Sequence, residues 1–158
     1  MLTREFQRSC EIAAPVEALR EFHFAEGAFE KLSPPWENAE IVSEAHPMRD
    51  GARAKIRIRF GPFSKLWIAE HEIIEDGFID RQIEGPFKSW EHRHIFTATG
   101  EDSSRLTDSI RYEVPFGFLG DLFGNPIVER KLDRMFEYRH EATRRELEHR
   151  PDPVDPAT

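Results

Sequence analysis

The stretch "SWEHRHIF", residues 89–96, sets Trp90, His92, His94 and Phe96 at alternate positions, with Glu91 and Arg93 between them. Side chains of a strand alternate between faces, so both imidazoles would share a face with large rings. Three chemistries suit such a pair. Histidines at i and i+2 can chelate zinc when a carboxylate or a third imidazole completes the set. An imidazole bonded to a carboxylate has its tautomer fixed and its basicity raised, as a general base requires. The same polar groups can instead orient a ligand in a largely apolar pocket.

A carboxylate is available in "SRLTDSIRYEV", where Leu106, Asp108, Ile110, Tyr112 and Val114 share the more hydrophobic face. A tight turn at "GED" that pairs Phe96 with Leu106 also sets His94 opposite Asp108 and His92 opposite Ile110. A slip by one residue would turn one whole set outward, which pins the register. His94 and Asp108 are therefore the candidate acid/base pair, with His92 beside them. Buried polar groups need partners whatever their role, so the first reading of the pair is a structural one, with catalysis and ligand binding as alternatives. His71 shares a parity with Trp67, Ala69 and Ile73 and should point inward. Asp80 and Gln82 belong to "FIDRQIEG", whose weak alternation leaves its inner face open. The third ligand of a metal site stays undefined among His71, Asp80 and Asp108. No metal and no cofactor is expected.

Strands must hold these positions. "REFQRSCEI" alternates and reads as an edge strand, followed by a short helix in "AAPVEALREFHFAEG" and a helical turn cut off at Pro34 and Pro35. From about residue 37 to 114 the period is two, with turn signals at "FGPFS", "EDG", "GPFK" and "GEDS". Short connections make neighbours antiparallel, giving a six-stranded meander plus the first strand. Asn125 as cap and Pro126 behind it open a long helix with Ile127, Val128, Leu132, Met135, Phe136, Arg139, Ala142, and Thr143 or Leu147 on its buried stripe. One sheet face needs cover, and only that helix is long enough to supply it. The expected class is α+β: a curved seven-stranded antiparallel sheet around a long C-terminal helix, with two short helices after the first strand. A cavity should lie between sheet and helix.

The chain has 158 residues and a formal charge of −8, with 33% charged and 39% hydrophobic residues. That suits one domain, placed at residues 1–149, with a disordered Pro/Asp-rich tail at 150–158. An acidic surface repels phosphate backbones, so nucleic acid is not an expected partner. The four basic residues of "RAKIRIR" should form a solvated outer face. The single cysteine, Cys10, and an N-terminus without an apolar signal block point to the cytoplasm. The loop at 115–125, "PFGFLGDLFGN", is apolar and Gly-punctuated; it could gate a cavity, touch a membrane or pack on the rim.

The order of elements resembles the helix-grip fold of the START/Bet v 1-like superfamily, also called SRPBCC or polyketide cyclase/dehydrase-like. Within it, "IAAPVEALREFHF", "KLSPPWE", "DRQIEGPFKSWEHRHIF", "LTDSIRYEVPFG" and "MFEYRH" resemble a bacterial ligand-binding branch that also occurs fused to NAD-dependent epimerase-like domains. The resemblance spans about residues 3 to 148 and lacks the epimerase part. It implies a small apolar ligand, such as a lipid, polyketide or quinone, held between sheet and helix. The ligand-binding candidates are Trp36, Trp67, Trp90, Tyr112 and Phe136 for the apolar wall. His71, Asp80, Gln82, His92, His94 and Asp108 would supply the polar spots. The alternatives are a cyclase/dehydratase-type enzyme using His94 and Asp108, and an interaction module whose cavity is filled by its own side chains. The fused forms suggest an epimerase-like protein as partner.

Overall fold

The computed structural model describes residues 3–117, 120 and 124–148. Most of the apolar stretch in the 115–125 loop, and the tail at 150–158, lie outside the described residues. The elements run β1 Arg4–Ile12, α1 Val16–Phe24, α2 Ala28–Leu32, β2 Ala39–Ser43, β3 Arg53–Phe60, β4 Phe63–Ile74, β5 Gly77–Glu84, β6 Ser89–Gly100, β7 Ser103–Glu113 and α3 Asn125–Leu147. Seven strands form one antiparallel sheet in the order β1-β7-β6-β5-β4-β3-β2, so the meander closes with β1 as an edge. This is the α+β helix-grip arrangement expected from the pattern.

Hydrophobic alternation decided the register. Phe96 pairs with Leu106, His94 with Asp108 and His92 with Ile110, as the tight β6–β7 turn demands. On the far side, Arg53 pairs with Glu70, and Arg57 and Arg59 reach Glu40, so the basic face of β3 is an ion-paired outer surface. Gly77 opens β5 against β6, where a Cβ would run into the backbone carbonyl of His94. That close approach brings β5 side chains up to the histidines.

The interior has two apolar clusters. Cys10, Ile12, Leu19, Phe78, Phe96 and Leu106 form one, beneath α1. Ile110, Tyr112, Val114, Leu132 and Phe136 form the other, beneath α3, flanked by Phe6, Phe87 and Trp90. Between them the inner face turns polar on successive strands: Asp108 on β7, His92 and His94 on β6, Asp80 on β5, His71 on β4. Burial holds the Cys10 thiol up at about 11, well away from the thiolate form.

Two details of α3 differ from the sequence reading. Asn125 is its first helical residue and is buried, behind Gly124 as cap. Ile127 is 61% exposed, while His140 takes a buried place on the same helix. Phe136 and His140 are spaced i and i+4, so one face carries both.

His23 of α1 is buried against Phe96, with its Nδ1 2.9 Å from the Leu19 carbonyl. Burial pushes its pKa from 6.5 down to about 4, and the Leu19 bond offsets only part of this. Folding therefore releases a proton between those values. Its contribution is complete above pH 6.5 and is lost as pH falls toward about 4, a swing of roughly 3 kcal/mol. His23→Phe should flatten the fall in urea midpoint between about pH 7 and about pH 4. An unchanged pH dependence would show that His23 does not drive it.

Candidate functional site

Strand pairing assembles the polar belt. His71 lies opposite Asp80, Asp80 opposite His92, and His94 opposite Asp108. Cross-strand partners project to the same side, so β4 to β7 aim these groups into one patch. Asp80, whose face the sequence left open, is an inner residue.

Asp108 is the hub. Its Oδ1 accepts from His92 Nε2 at 2.7 Å and its Oδ2 from His140 Nε2 at 2.7 Å. His94 donates Nε2–H to Asp80 Oδ2 at 2.7 Å and turns Nδ1 to Asp108 Oδ1 at 3.3 Å. His92 Nδ1 lies 3.6 Å from the same Asp80 oxygen. Carboxylates only accept, so each short bond places a hydrogen on the facing nitrogen. The predicted His94–Asp108 neighbours do meet, yet the shorter bond of His94 goes to Asp80. Its ring lies 3.6 Å from that of His92 and stacks on Phe78 at 4.0 Å.

The electrostatics follow from two carboxylates in a dry patch. Burial pushes Asp80 up, but the His94 hydrogen bond and the charges of His92 and His94 outweigh it and hold it at about 2. Asp108 lies well below the ordinary carboxylate range: its imidazole bonds, led by His140, overcome the cost of burial. Burial works against charge on His94, but bonds to Asp108 and Asp80 raise its pKa. His92 goes the other way, lowered by burial and by the charge of His94. Of the two neighbouring imidazoles, His94 is thus the one whose surroundings favour the protonated form. Arg139 of α3 is a half-buried cation close by; burial lowers its pKa while Asp108 and Asp80 pull it back.

The network has an open and a closed side. His92, His140 and Asp108 side chains are each only 4% exposed, against 12% for His94 and 15% for Asp80. On the closed side, Phe136 meets His92 edge-on at 5.2 Å. Along the inner face beyond His92 lie Trp90, edge-on to His92 at 6.5 Å, Trp67, edge-on to Trp90 at 5.0 Å, and Phe87, 4.8 Å from Trp90. Trp67 pairs with Ile56 across β3 and β4, extending an apolar, half-buried inner surface. Tyr112 is fully buried beneath Phe87 and Trp90, and its hydroxyl has no partner among the described residues.

Other expected wall residues are committed elsewhere. Gln82 donates to the Phe87 carbonyl at 2.7 Å and accepts from the Phe87 N–H, clamping the β5–β6 turn. His71 spends Nδ1 on the Ala52 carbonyl at 3.1 Å. Trp36 stands apart, edge-on to Tyr138 at 5.3 Å with the Arg134 guanidinium over its ring at 4.3 Å. His140 and Arg139 are the participants that sequence reasoning missed. Arg139 was placed on the buried stripe of the helix, but without a role; the i+4 step from Phe136 was the signal for His140. Of two further grooves, one of ≈ 270 Å³ beside Glu70 and Arg81 shares only His71 with this group, and one of ≈ 670 Å³ beside α2 shares none of it.

Residues 12–137 match the profile of the family described as polyketide cyclase / dehydrase and lipid transport. The chain belongs to this family. No curated protein matches it. Among solved structures, a START superfamily protein from Mycobacterium smegmatis is 17% identical, with 91% of this chain and 97% of that one covered and a TM-score of 0.68. Norcoclaurine synthase from Thalictrum flavum, in complex with dopamine and hydroxybenzaldehyde, is 18% identical over 96% of this chain and 90% of its own, TM-score 0.66. A nucleoside-diphosphate sugar epimerase from Corynebacterium glutamicum is 23% identical over 89% of this chain but 28% of its own, TM-score 0.67. A domain of this shape therefore occurs inside a longer epimerase chain. At these identities the likenesses establish the fold.

Asp108→Asn would turn an amide NH2 toward imidazole N–H donors and remove a charge that several groups share. We expect a loss of roughly 3 kcal/mol in urea unfolding. A stability within about 0.5 kcal/mol of wild type would show that the hub does not organise the interior.

Proposed function

We propose that this chain binds a small, largely apolar molecule of the lipid, polyketide or quinone kind, with its polar end at His94 and Asp80. The observation that carries this is the asymmetry of the polar network. Its Asp108 side is sealed by α3, and its Asp80–His94 side is the more exposed. The half-buried rings of Trp67, Phe87 and Trp90 continue the same inner face from His92, which Trp90 meets edge-on at 6.5 Å. Those rings offer area for an apolar body, and the His94 Nε2–H, at the more exposed edge, offers a donor to a carbonyl or hydroxyl oxygen. The free hydroxyl of Tyr112 is a further polar group beneath the same rings. The family description, which pairs ring-forming and dehydrating enzymes with lipid carriers, supports the same ligand class.

A second reading is acid catalysis. His94 holds a proton at the accessible edge, and Asp80 at 2.7 Å can accept or return it. This shifts the pair expected from the sequence, His94 with Asp108, to His94 with Asp80. The occurrence of this fold within an epimerase chain supports an epimerase-like protein as a partner. The lone unpaired thiol, Cys10, supports a reducing compartment such as the cytoplasm.

Mass spectrometry under native conditions should find an apolar small molecule retained after purification. Titration with an aromatic ketone and a fatty acid should give saturable quenching of tryptophan fluorescence, weakened at least ~10-fold in Trp90→Ala. Absence of both retention and saturation would remove the binding reading. His94→Gln that keeps binding but abolishes turnover would establish the catalytic one.

A further inference from the structure

The two histidines present their nitrogens in an ordered way. His92 turns Nε2 to Asp108 and Nδ1 toward Asp80. His94 turns Nδ1 to Asp108 and Nε2 to Asp80. Each imidazole therefore gives one nitrogen to an inner carboxylate and the other to the same Asp80 oxygen. One donor atom each from Asp80, His92 and His94 lies within 4.8 Å of the other two. Ligand bonds of about 2.0–2.1 Å to a single ion set neighbouring donors about 3 Å apart, and the 2.7 and 3.6 Å contacts to Asp80 bracket that value.

We propose that Asp80, His92 and His94 form a binding site for one divalent first-row transition cation, with Zn²⁺ as its simplest occupant. Two imidazoles and a carboxylate favour such an ion over Mg²⁺ or Ca²⁺, which prefer oxygen donors. Asp108 completes the logic: a carboxylate behind a ligating histidine fixes the tautomer and the ring orientation. It serves both histidines here, and His140 in turn holds its second oxygen. The ion takes the place of the hydrogen that His94 otherwise shares with Asp80, so cation-bound and proton-bound forms alternate at one spot. Three protein ligands leave coordination positions for water or a ligand oxygen, and the partly exposed Asp80–His94 edge is where access lies. Sequence spacing alone could not nominate this set, because the face of β5 was undecided.

The test uses the full chain without an affinity tag or any organic ligand, so its result is independent of the apolar-ligand reading. Isothermal titration with ZnCl2 should show one equivalent bound, and MgCl2 and CaCl2 should show none. Nitrogen-15 spectra of the histidine side chains should place the ion on Nδ1 of His92 and Nε2 of His94. This reading on wild-type protein needs no variant to fold. Asp80→Asn and His94→Gln, with folding checked by circular dichroism, should bind roughly 100-fold more weakly. His46→Gln, on the exposed surface, should bind as wild type does. Failure of the wild type to take up Zn²⁺, or uptake that leaves the His92 and His94 signals unmoved, would overturn the proposal.

Discussion

Two carboxylates, Asp80 and Asp108, sit on the inner face of the sheet, where water is kept from Asp108 and reaches Asp80 only in part. Charges in such a place must be matched locally or driven neutral. The sheet meets that demand with His92 and His94 on the strand between them, and α3 meets it with His140 and Arg139. Much of the rest depends on this. The register of β6 on β7 must bring His94 to Asp108. Gly77 must let β5 approach close enough for Asp80 to reach His94. The helix must present His140 one turn beyond Phe136. Each is a backbone condition imposed by a polar contact.

The polar belt also divides the interior. One apolar cluster packs beneath α1 and the other beneath α3, with the belt running across four strands between them. An apolar core tolerates repacking, whereas a satisfied network tolerates few geometries. The belt is thus a reference frame that fixes how the two clusters stand to each other. Its cost is borne where α3 seals it and relieved where it nears the surface. The same gradient of burial makes its Asp80–His94 edge the place where a ligand or an ion can exchange with a proton.

Family membership and chemistry are separate conclusions. The profile match and the solved neighbours establish a helix-grip fold that proteins of differing printed roles share. A fold of this kind supplies a curved inner surface, and the side chains on it decide the chemistry. Here those side chains are an aromatic trio and a His/Asp network in direct succession along β6 and its neighbours. The described helices include none long and apolar enough to cross a membrane.

The amino-acid sequence by itself determined the strands, their order and most of the register. Period-two alternation admits one inward parity per strand, so Trp90, His92, His94, Asp108 and Tyr112 could be placed on the inner face directly. It also determined that the long helix packs on the sheet, although α1 shares the covering of the inner face with it. Tertiary structure decided the rest, for physical reasons that local pattern does not hold. Asp80 lies on a strand buried on both sides at its start, with Gly77, Phe78 and Ile79 all covered, and such a strand loses its alternation. His140 belongs to a helix whose rotation about its axis is set by the whole packed interface. Trp36 follows two prolines in a loop, and no periodicity says where a loop lands; packing put it on Tyr138. The choice between Asp80 and Asp108 as the closer partner of His94 differs by 0.6 Å, from 2.7 to 3.3 Å, and only the assembled side chains could make it.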